Sequence, residues 1–255
     1  MSATPAPATL ELRGVTKNFG QVHALRGVDF EVSAGEVMAL VGDNGAGKST
    51  LIKCVAGIYS IDGGQIFFDG EPVSISGPKD AAKLGIEVVY QDLALCDNLD
   101  VVQNMFLGRE EHDVFRRLRE APMEQRTTET LASLSVTTIR SVRQLVATLS
   151  GGQRQSVAVA RAVLWNNRLV FLDEPTAALG VAQTRQVLDL VKRLGDQGLA
   201  VVLVSHNLTD VFEVADRITV LRLGSNVGVY DKSGTSEQEI VHAITFGAQD
   251  AAASA

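Results

Sequence analysis

Apolar residues in this chain fall in short continuous runs of strand length, separated by Gly-rich or polar stretches. Val37–Val41 (VMALV), Ile86–Tyr90 (IEVVY), Leu169–Leu172 (LVFL) and Leu199–Val204 (LAVVLV) hold a single charged residue among them, Glu87. Strands buried on both faces read this way, and they belong to parallel sheets covered by helices. Asp216–Leu221 (DRITVL) predicts a further strand. Gln65–Phe68 and Pro72–Ile75 flank Asp69-Gly70, a turn pair that favours a two-residue hairpin, so an antiparallel addition to the parallel core is expected. Helical stretches alternate with the strands, beginning with Lys48–Ala56 just after the first run. That alternation predicts an α/β fold.

From about Asn98 to Trp165 the pattern changes. The segment holds no strand signal, carries charge runs such as Arg116-Arg117-Leu118-Arg119-Glu120, and predicts a mostly helical insertion into the α/β core. The Arg-rich run itself reads as a solvated helix face. Residues 1–9 (MSATPAPAT) and 247–255 (GAQDAAASA) are small, polar or Pro-containing and are expected to be flexible ends. No internal repeat is visible.

Composition narrows the function. The 255 residues carry 23 Lys+Arg against 30 Asp+Glu, a formal net charge of −7, and only 5% are aromatic. A nucleic-acid binder working through a basic face or a base-stacking platform is therefore not expected. Nothing approaches the roughly 20 apolar residues that span a bilayer, and residues 1–9 have neither the basic nor the apolar region of a signal peptide. Two cysteines, Cys54 and Cys96, make no disulfide framework. A soluble, acidic, cytosolic protein is expected.

Gly42-Asp43-Asn44-Gly45-Ala46-Gly47-Lys48-Ser49 fits G-x-x-x-x-G-K-[ST] between a predicted strand and a predicted helix. Glycines let successive backbone N–H groups turn toward phosphate oxygens, and the helix N-terminus adds partial positive charge. Lys48 would bring a point charge to the β- and γ-phosphates, and the Ser49 hydroxyl could ligate Mg²⁺. The bland alternative is a Gly-rich turn, but a chance match in a chain this long is on the order of one in a hundred.

Two further features gain meaning beside that loop. Leu169–Leu172 ends in Asp173-Glu174-Pro175, and ligands gather at the carboxyl ends of parallel strands. Asp173 could hold Mg²⁺ through water, and Glu174 could orient or deprotonate an attacking water; alone, the pair would also serve as an ordinary strand-to-turn boundary. Leu149-Ser150-Gly151-Gly152-Gln153 precedes an amphipathic helix for which Ser150 is a good N-cap. Its two glycines leave N–H groups uncovered, making either a plain capped helix or a second anion site for a phosphate held by another copy of the protein.

Together these motifs resemble the ABC-type ATPases. Gly42–Ser49 matches the Walker A loop, Leu149–Gln153 the LSGGQ signature, and Leu169–Asp173 with Glu174 the Walker B strand; the likeness runs from about Leu10 to Phe246 as one ATPase domain. It implies a P-loop NTPase core with an antiparallel β subdomain and a helical insertion at about 98–165. It implies ATP and Mg²⁺ as cofactors, with Gly42, Asp43, Asn44, Gly45, Ala46, Gly47, Lys48, Ser49 and Thr50 at the phosphates. Gln91 matches the Q-loop glutamine, a metal and water contact that senses the membrane partner. His206 matches the switch histidine at the γ-phosphate, and Phe19 the aromatic that stacks on adenine, more often Tyr. Ser49, Gln91 and Asp173 are then the metal set and Glu174, His206 and Gln91 the catalytic set. Ser150, Gly151, Gly152 and Gln153 would close over the nucleotide of a second protomer.

One position departs from the pattern. After Asp173-Glu174-Pro175-Thr176 the family usually reads Ser-Ala-Leu-Asp, and this chain has Ala177-Ala178-Leu179-Gly180. The missing aspartate normally helps couple the two sites of the dimer; hydrolysis is expected to survive its absence. Tyr90–Leu99, Asn104–Glu110 and Thr176–Gly180 are similar to the ATP-binding subunits of bacterial monosaccharide importers of the ribose, xylose and fructose types. That similarity implies a homodimer beneath two membrane permease subunits, at the cytoplasmic face of the inner membrane, served by a periplasmic sugar-binding protein and not by nucleic acid. No regulatory domain is expected beyond Phe246. ABC ATPases acting on nucleic acid or ribosomes, importers of a non-sugar solute, and P-loop kinases are the alternatives; the last would leave the signature unexplained.

Overall fold

The computed structural model describes residues 8–165 and 168–247. In chain order its elements are β1 (Leu10–Phe19), β2 (Val22–Val32), β3 (Val37–Val41), α1 (Lys48–Val55), β4 (Gly63–Phe68), β5 (Glu71–Val73), α2 (Pro78–Lys83), β6 (Ile86–Val89), α3 (Val101–Phe106) and α4 (Glu120–Ser133). There follow α5 (Gly151–Val163), β7 (Leu169–Asp173), α6 (Val181–Asp196), β8 (Ala200–Val204), α7 (Leu208–Val214), β9 (Arg217–Arg222), β10 (Ser225–Asp231) and α8 (Glu237–Phe246).

The strands form two sheets. One has the order β10-β9-β3-β8-β7-β6, parallel except where β10 returns antiparallel on β9; the other is antiparallel, β2-β1-β4-β5. The apolar runs of β3, β7 and β8 are where the larger sheet is covered on both sides, whereas the run of β6 forms an edge strand with Glu87 and Val88 only half-buried. On β7, Val170 and Leu172 face a layer built from α3, α4, α5 and α6, while Leu169 and Phe171 face α1 and the antiparallel sheet. Strand β8 divides the same way, Val201 and Leu203 against Val202 and Val204. Period-two alternation thus sorts one continuous apolar run into two cores. A third apolar cluster joins Ala39 and Val41 of β3 to α7, β9 and α8.

Because β3, β6, β7 and β8 run parallel, their carboxyl ends lie on one edge of the sheet. That edge delivers the Gly42–Ser49 loop, Gln91, Asp173-Glu174 and His206 from four different strands.

Several expectations need correction. Strands β1 and β2 were not predicted as elements, although they form most of the antiparallel sheet. The Arg116–Arg119 run is not a helix face: it turns back through a bridge between His112 and Leu118, and α4 starts only at Glu120. Asp113 Oδ1 imposes the turn by accepting from the N–H groups of Phe115 and Arg117 at 2.8 and 2.9 Å. Of the two expected flexible ends, residues 1–7 and 248–255 lie outside the described residues. Thr9 is buried and its carbonyl accepts from the Asp69 N–H, and the Gly247 N–H closes α8 on the Ala243 carbonyl. No helix among the described residues is long and apolar enough to cross a membrane.

Candidate functional site

The loop between β3 and α1 is shaped by backbone that only glycine adopts easily. Gly42 has φ +149° and Gly47, the residue before α1, has φ +105°. A Cβ on Gly42 would stand 2.1 Å from the Leu221 carbonyl oxygen, and one on Gly47 2.9 Å from that of Ala24. No side chain caps α1, so its first N–H groups remain available at the loop. Lys48 curls back over the loop, its Nζ donating to the carbonyls of Gly42 at 2.6 Å and Asp43 at 3.1 Å. Burial draws the Lys48 pKa down, and the carboxylates of Glu174, Asp173 and Asp43 oppose that shift.

A cavity of about 600 Å³ opens beside this loop, walled by Lys48, Ser49, Gln91, Asp173, Glu174 and His206 among others. Asp173 is pushed above the ordinary carboxylate range by burial and then by Glu174, with Lys48 and Lys53 pulling the other way. Glu174 has φ +51° and its N–H donates to the Val204 carbonyl at 2.9 Å, which ties the end of β7 to the end of β8. Its Oε2 lies 2.8 Å from Nδ1 of His206, whose side chain is 75% exposed where Glu174 is 17% exposed. A mostly covered carboxylate on a strained backbone, beside an open imidazole, can hold a water and receive its proton.

A second cavity, of about 480 Å³, lies on the other side of the same loop and shares Asp43, Asn44, Lys48 and Ser49 with the first. Gly45, Ala46, Gly47 and Thr50 also line it. Its far wall is Val22, His23, Ala24, Arg26 and Leu223, none of which sequence reasoning singled out. Phe19 lines neither cavity; its ring meets Tyr59 edge-on with centroids 5.1 Å apart, and Lys17 lies over it.

The donor set fits a nucleoside triphosphate with a divalent cation. The loop can pack this closely against the Leu221 and Ala24 carbonyls only because Gly42 and Gly47 carry no Cβ, and a lysine and open helix N–H groups lie at the loop. No cluster of three or more His, Cys, Asp or Glu among the described residues could hold a metal by itself. Ser49, Gln91 and Asp173 line the same cavity with a hydroxyl, an amide and a carboxylate, hard oxygen donors of the kind that suit Mg²⁺ completed by phosphate oxygens and water.

Ser150–Gln153 line neither cavity of their own chain. Ser150 caps α5 in a reciprocal box: the Gln153 side chain accepts from the Ser150 N–H at 2.9 Å while Ser150 Oγ accepts from the Gln153 N–H at 3.4 Å. Gln153 Nε2 also donates to the Thr138 carbonyl, so its amide is already committed. Gly151 and Gly152 lie close against Leu179 and Gln183, which places the signature directly on the Ala177–Gly180 turn and the start of α6. Thr176 Oγ1 donates to buried Asp210 of α7 at 2.6 Å, a link between that turn and the segment after His206 that nothing in the sequence signalled.

The sequence profile of the ABC transporter family matches residues 25–177. A fructose import ATP-binding protein of Rhizobium meliloti is 45% identical over 92% of this chain and 93% of its own length. A xylose/arabinose import ATP-binding protein of Sulfolobus acidocaldarius is 46% identical over 92% and 93%. Among solved structures, a nucleotide-free ATP-binding cassette from an ABC transporter superposes with a TM-score of 0.81 at 23% identity, over 95% of this chain and 98% of that one. A dimeric bacterial ABC transporter cassette gives 0.74 at 24% identity, over 89% and 100%. These two establish the fold, and the sequence relatives establish the kinship: the chain belongs to the ABC transporter family, as one of its ATPases.

Proposed function

We propose that this chain is the ATP-binding, ATP-hydrolysing subunit that powers import of a monosaccharide through a separate membrane permease. The observation that carries the ATPase half is the single cavity at one sheet edge that gathers Lys48, Ser49, Gln91, Asp173, Glu174 and His206 around a glycine-shaped loop. In this reading Gly42–Thr50 bind the phosphates, and Ser49, Asp173 and Gln91 hold Mg²⁺, which supplies charge neutralisation between the phosphates. Glu174 orients and deprotonates the attacking water, and His206, hydrogen-bonded to it, senses the γ-phosphate. Residues 10–246 act as one unit, with the segment at about 98–165 as its helical arm. Phe19 stacks on the base.

The sugar half rests on the named relatives, whose likeness spans nearly their whole length. Ser150–Gln153, remote from their own chain's cavities, complete the site of a second copy, so the working form is a homodimer. It sits at the cytoplasmic face of the inner membrane beneath two permease subunits, with a periplasmic sugar-binding protein on the far side. The test is co-purification with the permease followed by ATPase assays in lipid with the binding protein and a panel of monosaccharides. Stimulation by one sugar is expected. Hydrolysis indifferent to every sugar would overturn import, and turnover no faster than a Glu174→Gln variant would overturn the ATPase assignment itself.

A further inference from the structure

The segment leaving Gln91 is fastened to the signature helix by two arginines. Arg154 and Arg161 lie seven residues apart on α5, two turns along one face. Arg161 Nη2 donates to the Leu93 carbonyl at 2.9 Å and Nη1 to the Ala94 carbonyl at 3.0 Å. One turn from the helix start, Arg154 Nη1 pairs with Asp97 Oδ1 at 2.8 Å. At the Arg161 tether, Ala94 sits at φ +48°, a conformation that costs a side chain-bearing residue free energy and persists only where surroundings impose it. A half-buried guanidinium that donates from two nitrogens of one rigid plane to two successive carbonyls is such an imposition, because the plane fixes the direction of both bonds, whereas the rotatable donors of a lysine on its flexible stem fix neither.

We infer that Arg161, backed by Arg154, is a positioning residue that makes Gln91–Asp97 and the Ser150–Gln153 helix move as one body. Displacing either end then displaces the other: a push on the segment at the phosphate cavity re-aims the signature, and seating the signature on a second copy sets Gln91. This rests on the roles of Gln91 and Ser150–Gln153 given under Proposed function. Neither arginine lines the phosphate cavity, so both act through the residues they hold.

The experiment uses the full chain with four variants: Arg161→Lys, Arg154→Gln, Ala94→Gly, and Arg161→Lys with Ala94→Gly. Amide hydrogen exchange of residues 91–97, kcat, the KM for ATP and Tm are read for each. Arg161→Lys is expected to lower kcat about tenfold with KM within about twofold, and to speed exchange in 91–97. Glycine adopts φ +48° unaided, so Ala94→Gly in the Arg161→Lys background should recover about threefold or more of kcat. Arg154→Gln, at the more exposed tether, should shift exchange the same way by less. A folded Arg161→Lys variant with unchanged kcat and unchanged exchange in 91–97 would overturn the inference while leaving the ATPase reading intact. Should Arg161→Lys fail to fold, unchanged exchange and kcat in Arg154→Gln would overturn it instead. An inactive wild type would fail the functional reading alone, and the exchange data would still decide whether the segment is tethered.

Discussion

His206 Nδ1 stands 2.8 Å from Glu174 Oε2, across the gap between the ends of two neighbouring strands, β8 and β7. The contact is asymmetric: the histidine is open to the cavity, and the carboxylate is mostly covered and held at a positive φ by its own N–H bond to Val204. The pair therefore has a covered member and an open one. Glu174→Gln keeps the shape and removes the proposed base, and should lower kcat by about 10²–10⁴ while leaving ATP affinity within about threefold. His206→Ala should lower kcat as well, and the double variant should lose far less than the product of the two, because each residue works through the other. Single-turnover rates with equilibrium nucleotide binding check this; additive losses would separate the residues.

Asp173 gives a test in the absence of nucleotide. Burial and the neighbouring Glu174 raise its pKa, so the ionised form weakens the fold. For a group with a raised folded-state pKa, the stabilising contribution is present below the unfolded pKa and lost as pH rises through the folded one. Asp173→Asn should thus melt above wild type at pH 7, and the difference should shrink on acidification toward the ordinary carboxyl range, where wild-type Asp173 is itself neutral. The same variant should lose Mg²⁺-dependent hydrolysis, a trade of stability against function. Thermal melts from pH 4 to 8 without ligand decide the sign.

What could be read from the sequence was what burial on both faces makes local. Strands β3, β7 and β8 announce themselves as apolar runs, and the glycines of the phosphate loop are legible because their spacing encodes backbone shape. Strands β1 and β2 were not, since their pairing shifts register between Leu12 and Val15 and again before Asn18, which breaks the alternation a strand is recognised by. The Arg116–Arg119 run has helical composition, but the Asp113 side chain offers its N–H groups a turn instead. The Glu174–His206 contact depends on β7 and β8 being neighbours, a fact of topology. No local signal distinguishes that histidine from one at any other strand end.

The glycines of the loop should differ in what they tolerate. Gly42→Ala drives a Cβ into the Leu221 carbonyl, backbone that cannot step aside, and should cost about 3 kcal/mol or more. Gly45, at φ +81°, has open space where a Cβ would go, so Gly45→Ala should cost only the conformational penalty, about 1–2 kcal/mol. Urea unfolding of the two variants orders them; equal losses would mean the close approach at Leu221 relaxes.

Gly180 stands where relatives of this fold usually carry aspartate, and the site would accept one. Its φ of −76° and ψ of 164° suit a helix N-cap, and α6 has no side-chain cap of its own. The nearest obstacle to a Cβ is the amide oxygen of Gln183, 2.7 Å away at the end of a flexible side chain. Gly180→Asp should therefore fold, and should gain about 0.3–1 kcal/mol from the capping bond and the helix dipole. Hydrolysis should persist in both forms. Any gain in cooperativity with respect to ATP, read as the Hill coefficient, would measure how far glycine loosens the coupling between sites.

Asn104 is the hidden anchor of the segment that Arg161 and Arg154 hold from the other side. Fully buried on α3, it accepts from the Cys96 N–H at 2.7 Å and donates to the carbonyls of Cys96 and Asp100 at 3.0 and 2.9 Å. Asn104→Leu matches its bulk but leaves the Cys96 N–H without its acceptor, while the Cys96 and Asp100 carbonyls keep the backbone N–H groups of Leu99 and residue 104, an expected loss of about 1–3 kcal/mol. Asn104→Asp keeps the acceptor for Cys96, loses the donors and buries a charge, so at neutral pH it should be at least as damaging, and it should recover partly as acid neutralises the carboxyl. The checks are denaturant unfolding at pH 5 and pH 7 and limited proteolysis between residues 96 and 100. If Asn104→Leu unfolds at the wild-type midpoint, water reaches this segment freely and the anchor is redundant.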